Sequence, residues 1–342
     1  MDDPRSERNA LIRRFLNAAG WASASLAPLA GDASNRRYLR VVDTDRIAVL
    51  MDAPPDQGED TQPFIAVTNW LRALDLSAPQ ILAADNNMGF LLLEDLGDAL
   101  FARHLQQKPK DSVPLYGAAV DLLLRVSRAR APDWMADYDK SVLEREAALF
   151  CDWWLPLSAG QTIADDARAD FLGLVNEVTG TVAETRQIAV LRDYHAENLL
   201  WLPDRSAHAN VGLLDYQDAL AGHPAYDLVS LLEDARRDTE LDLQQAMLAR
   251  YLMGRPYLDR DAFLAAYSTL GAQRNLKIIG IFARLAVRDG KPRYLGLIPR
   301  VWGHLQNDLK HPALASLARW LAQNTEPPTP AKLAALVAQS PR

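Results

Sequence analysis

Strand-like patterning in this chain ends near residue 97 and returns only once. RRYLRVV (36–42) and RIAVLM (46–51) are β-prone runs around the turn-forming Asp43-Thr44-Asp45, the mark of a hairpin. APQILAAD and FLLLEDLG follow, on either side of Asn86-Asn87-Met88-Gly89. From about residue 110 onward apolar residues recur at helical spacing, as in YGAAVDLLLRVSRA, VLEREAALFCDWWL and ARADFLGLVNEVTGTVAE. This switch predicts an α+β chain of two lobes. The first is a small β-rich N-lobe, 1–97, opening with an amphipathic helix over 5–19 and carrying another over 61–74. The second is a larger helical C-lobe, 98–342. No internal repeat interrupts the pattern.

The one later patch of strand character, 187–216, carries the chemistry. In LRDYHAENLLWLPDRSAHANVGLLDYQDA an acidic residue, Asp193, precedes an amide, Asn198, by five positions. Two apolar runs joined by a polar turn then lead to Asp215. NLLWL and VGLLDY predict a hairpin that draws Asn198 and Asp215 together. Phosphoryl transfer asks for a carboxylate to take the acceptor's proton and for hard oxygen ligands on a metal. Asp193 is the candidate base, and Asn198 and Asp215 are candidate Mg²⁺ ligands, since that ion commonly takes only one or two protein carboxylates. Any one of these residues alone reads more simply as a surface carboxylate or a helix cap; the ordered set does not.

Composition narrows the partners. A net charge of −7 over 342 residues argues against bulk nucleic-acid binding. The single cysteine, Cys151, excludes an internal disulfide framework and a multi-cysteine zinc site; in ALFCDWWL it reads as a buried thiol. The start MDDPRSERNALIRRFL is unlike a signal peptide, and no stretch approaches the roughly 20 apolar residues a membrane span needs. A cytoplasmic protein with a small-molecule substrate, no membrane and no obligatory protein partner is the expectation.

The Asp-x-His-x-x-Asn run at 193–198 resembles the catalytic loop of the aminoglycoside phosphotransferase and choline-kinase group. That resemblance implies a protein-kinase-like fold, ATP and Mg²⁺ as cofactors, Asp193 as base, Asn198 and Asp215 on the metal, and Asp227 in PAYDLVSLL as a brace for the loop. It makes FLLLEDLG the last N-lobe strand and hinge, with Glu94, Asp95 and Leu96 beside the adenine. Asp95-Leu96-Gly97 superficially matches the metal motif of kinases but precedes the catalytic loop, whereas the metal aspartate must follow it. More closely, GDASNRRYLRV, AVLMDAPP, FLLLEDLGD, LRDYHAENLLWL, GLLDYQDAL and NLKIIGIFARLAVRDGKPRYL resemble the bacterial kinases that phosphorylate the anomeric hydroxyl of N-acetylmuramate and N-acetylglucosamine in cell-wall recycling.

The chain departs from the kinase pattern where a strand should end in a phosphate-pairing lysine. It reads Ala48-Val49-Leu50-Met51-Asp52, and the helix after it, TQPFIAVTNWL, has no glutamate. Arg36 or Arg37 is the expected substitute, beside a small polar loop whose Ser34 and Asn35 would approach phosphate. His195, Glu197, Gln217 and Asp218 are candidates for the sugar hydroxyls. Lys277, Arg284 and Arg288 recur at helical spacing and would meet a substrate carboxylate or form a solvated basic face. Trp153, Trp154 and Trp201 read as core packing rather than a sugar platform. Two rival readings stay open: a kinase of another small alcohol, such as an aminoglycoside or choline, and a nucleotide-binding pseudokinase that serves as a scaffold.

Overall fold

The hairpins read from the sequence form a single antiparallel sheet. The computed structural model describes residues 4–29, 35–160 and 162–339. Its strands are β1 (Ser25–Pro28), β2 (Arg37–Asp43), β3 (Arg46–Asp52), β4 (Ile81–Asp85) and β5 (Phe90–Glu94), ordered β1-β2-β3-β5-β4. Helix α1 (Pro4–Ala18) buries Ile12 and Leu16 completely in a cluster with Val41, Ala48, Leu50, Phe90 and Leu92. Each such side chain contributes roughly 1.5–3 kcal/mol. Thr44 turns the β2–β3 hairpin with a φ of 54°, and Gly89 turns β4–β5 with a φ of 69°. A Cβ on Gly89 would lie 1.9 Å from the Ala53 carbonyl oxygen, so only glycine fits that turn.

Packing divides the chain into two units, Met1–His104 with Asn198–Asp218, and Leu105–Glu197 with Ala219–Arg342. The first unit therefore includes a hairpin from the segment expected to lie in the helical lobe. Its strands β6 (Leu199–Trp201) and β7 (Val211–Leu213) are antiparallel, with Leu199 opposite Leu213. Backbone bonds explain the association: Trp201 N–H donates to the Ala99 carbonyl at 2.8 Å, and Leu213 N–H to that of Ser77 at 2.9 Å. Helix α2 (Gln62–Ala73) adds a side-chain anchor, stacking Phe64 on Tyr216 at 5.2 Å and bonding Thr68 to the Tyr216 hydroxyl at 2.7 Å.

The second unit is helical around α3 (Arg260–Val287). Packed with it are α4 (Lys140–Leu149) and α5 (Ile298–Asp308), and the shorter α6 (Ala225–Leu232) carries the brace residue. Phe150, Cys151, Trp154, Leu276, Ile279 and Ala283 belong to one apolar core. Cys151 is buried there, and burial pushes its thiol up to about 12, so it is no nucleophile. A Cβ on Gly280 would lie 2.3 Å from the Leu149 carbonyl carbon. The α3 backbone thus runs against the end of α4, where the helix loosens into a π turn over Phe150–Trp154. Within the described residues no helix is long and apolar enough to cross a membrane.

Candidate active site

Three local devices hold the loop 191–197 in the second unit. Asp227, in the first turn of α6, accepts the backbone N–H groups of Leu191 at 2.7 Å and Arg192 at 2.8 Å. Burial pushes its carboxyl up to about 7, while both N–H donors oppose that rise. Ser230, one helical turn on, donates to the Arg192 carbonyl at 3.0 Å, and Arg274 from α3 donates to Ser230 at 2.9 Å. Arg192 sits at a φ of 69°, a left-handed conformation that a non-glycine residue keeps only when its surroundings impose it. Tyr194 anchors the next position through its hydroxyl to the Ala119 carbonyl at 2.9 Å. Asp193 lies between these fixed points.

The Arg192 guanidinium turns away to Glu146, a carboxylate only 7% exposed. Glu146 also takes the Lys277 ammonium at 2.9 Å and the Tyr138 hydroxyl at 2.5 Å. Its pKa stays below the usual value although burial alone would raise it, because the two cations and the Tyr138 hydrogen bond prevail. Lys277 is therefore engaged in holding the loop's neighbour, and Arg288 pairs with Asp289 at 2.6 Å. The structure does not gather Lys277, Arg284 and Arg288 into one open cationic face. Arg284 instead has its Nε buried without a hydrogen-bond partner.

His195 is buried, its Nε2 3.5 Å from the Arg236 guanidinium. Burial holds its imidazole below the ordinary value, and Arg236 adds to this while Asp234 and Asp193 act against it. Glu197 pairs with the same Arg236 at 3.0 Å. These contacts make His195 and Glu197 structural members of the loop as well as candidates for substrate contact.

In the first unit, Leu214 N–H donates to the Asn198 carbonyl at 3.0 Å, extending the β6–β7 ladder by one pair. Asp215, directly after that pair, adopts a φ of 57°, which aspartate tolerates better than most residues. Gln217 donates to Asp215 at 2.9 Å, so this sugar-site candidate supports the metal-site candidate. Asn198 and Asp215 present one amide and one carboxylate, a hard-oxygen set that fits Mg²⁺ completed by phosphate and water. Among the described residues no group of three or more His, Cys, Asp or Glu is placed to hold a metal by itself.

The hinge candidates are pinned by arginines. Arg40 reaches Asp95 at 2.6 Å and Asp98 at 2.9 Å, and Arg205 reaches Glu94 at 2.6 Å. Leu96 is buried. The side chains of Glu94 and Asp95 are thereby committed. Asn35 donates to the Gln57 carbonyl at 3.2 Å, while Ser34 lies outside the described residues. Arg36 and Arg37 diverge: Arg36 pairs with Glu59 at 2.6 Å, and Arg37 with Asp52. Sequence reasoning missed Glu59, Glu146, Ser230 and Arg274, all partners distant in the chain that no local pattern marks.

Residues 25–264 match the phosphotransferase enzyme family. The chain belongs to that family. A relative from Caulobacter vibrioides, an N-acetylmuramate/N-acetylglucosamine kinase, is 40% identical over 92% of this chain and 96% of its own. A protein of the same name from Pseudomonas aeruginosa is 37% identical over 89% and 91%. Solved structures share the fold at low identity. A choline kinase from Streptococcus pneumoniae superposes with a TM-score of 0.58 at 13% identity, over 91% of this chain and 99% of its own. An ADP-bound aminoglycoside phosphotransferase does so with 0.59 at 13%, over 88% and 96%. The kinase-like architecture expected from the sequence, a small β lobe and a helical lobe, is thus the fold of this phosphotransferase.

Proposed function

We propose that this phosphotransferase moves the γ-phosphoryl group of ATP to the anomeric hydroxyl of N-acetylmuramate and N-acetylglucosamine, as a step of cell-wall recycling in the cytoplasm. The observation that carries the reading is the 40% identity to a kinase of those two sugars over nearly the whole of both chains. In this reading Asp193 accepts the proton of the sugar hydroxyl. The braced loop supports that role, because a base must be held within hydrogen-bond reach of the proton it takes. Asn198 and Asp215 hold Mg²⁺, which when bound neutralises charge on the phosphate oxygens. Backbone near Glu94–Leu96 meets the adenine. His195, Glu197, Gln217 and Asp218 contact sugar hydroxyls, and Arg284 and Arg288 are proposed for the carboxylate that distinguishes N-acetylmuramate.

An anomeric hydroxyl is more acidic than an ordinary alcohol, so a carboxylate suffices as base. In this reading transfer is direct, from ATP to the sugar hydroxyl, with no phosphoenzyme. The test is ADP release with ATP, Mg²⁺ and a panel of N-acetylmuramate, N-acetylglucosamine, choline and kanamycin. Turnover on the two sugars alone is expected. Turnover only on choline or kanamycin transfers the reading to another small alcohol, and none on any of the four contradicts it.

A further inference from the structure

The register of the sheet separates the work of two adjacent arginines. Arg37 stands opposite Asp52, and Tyr38 opposite Met51. Cross-strand partners share a face of the sheet, and successive residues alternate faces. Arg37 and Asp52 therefore lie on one face, Tyr38 and Met51 on the other. On the first face Asp52 is completely buried and is neutralised by Arg37 together with Arg8, which approaches at 2.7 Å. A buried carboxylate needs such partners, so Arg37 is occupied by the fold. Arg36, two residues before Tyr38, acts electrostatically on the Tyr38 phenol, which places it toward the second face.

A kinase carries its phosphate-pairing lysine on the strand that corresponds to β3 here. On the second face the last residue of that strand is Met51, next to the terminal Asp52, and it is buried. The Arg36 guanidinium instead donates its Nε to Glu59, with both side chains largely enclosed at 14% and 13% exposure. Glu59 lies just before α2. Asp218 contributes to the field at Arg36, and Asp215 to that at Tyr38, so the Arg36–Glu59 pair lies within electrostatic reach of the candidate metal residue.

We propose that Arg36 binds the nucleotide's phosphates in place of the absent lysine, with Glu59 as the carboxylate that orients it. The inference rests on the phosphoryl-transfer reading above and adds where the cation comes from: β2 in place of β3, and a loop glutamate in place of a helical one. A guanidinium suits this work because its planar fork can address a carboxylate and a phosphate together. Glu59 is then a positioning residue, and Arg36 touches substrate.

The test is calorimetric titration of ATP, ADP and adenosine, with Mg²⁺, into wild type, Arg36→Ala, Arg36→Lys and Glu59→Gln. Arg36→Ala should lose about tenfold to hundredfold in ATP and ADP affinity and keep its adenosine affinity. Arg36→Lys should recover part of the loss. Glu59→Gln should weaken ATP severalfold and lower kcat without moving KM for the sugar. ATP affinity and turnover at wild-type levels in Arg36→Ala would overturn the inference, as would an equal loss for adenosine. If Arg36→Ala does not fold, wild-type ATP affinity in both Arg36→Lys and Glu59→Gln overturns it. A wild-type protein that binds no ATP contradicts the kinase reading itself, whereas an inert Arg36 leaves that reading intact.

Discussion

The Asp227 carboxylate accepts the Arg192 backbone N–H at 2.8 Å, one residue before the candidate base. A second bond, from Leu191, makes this a two-donor clamp on the start of the loop. Asparagine offers one oxygen where the carboxylate offers two, and brings an N–H₂ group toward two donors. Asp227→Asn should cost about 1–3 kcal/mol of stability, the penalty for leaving a buried N–H donor without its acceptor. It should also lower kcat more than tenfold. Urea unfolding and steady-state kinetics check both, and a stable, fully active variant would remove the clamp from the account.

Glu146 balances Arg192 and Lys277 in a nearly dry site. Glu146→Gln leaves two cations facing a neutral amide, which should destabilise the fold by about 3–5 kcal/mol. Removing one of those cations as well, in Glu146→Gln/Lys277→Met, should recover part of the loss, since the two sites share an interaction. Denaturation midpoints of the two single variants and the double variant measure that coupling.

Acid sensitivity divides by sign. Burial, with Arg274 and Arg300 nearby, lowers the His304 pKa to about 4. Between that value and 6.5 the unfolded chain binds more protons than the folded one, so the contribution of His304 to stability is lost as pH falls through this window. Asp227 has the opposite sign: raised to about 7, it makes the folded chain bind the extra proton between 3.8 and about 7, so its contribution strengthens as pH falls. The comparison that isolates His304 is with His304→Gln, which does not titrate there. The variant should gain on wild type by about 2 kcal/mol between pH 6.5 and 4, by urea unfolding at each pH. A constant difference would contradict the buried neutral imidazole.

The hairpins β2–β3 and β4–β5 and the long helices were legible because each is written in local periodicity, whereas the short edge strand β1 was not. The β6–β7 hairpin was legible too, but not its packing with the first unit, which depends on bonds to Ser77 and Ala99 more than a hundred positions away. The same limit hid Glu59 behind Arg36 and Glu146 behind Arg192. Helical spacing placed Lys277 and Arg284 on α3 correctly, yet it could not show that Lys277 turns inward to a buried carboxylate. Periodicity reports which face a residue occupies; its partner is set by the fold.

The most direct measurement is phosphorus NMR of the product formed from N-acetylglucosamine by wild type and by Asp193→Asn, with nucleotide affinity measured on both. The proposed chemistry yields a sugar 1-phosphate from wild type. Asp193→Asn should give no product, with ATP affinity unchanged, because the base touches the acceptor and not the nucleotide. Phosphate on another hydroxyl, or an Asp193→Asn variant that still turns over at the wild-type rate, would contradict it.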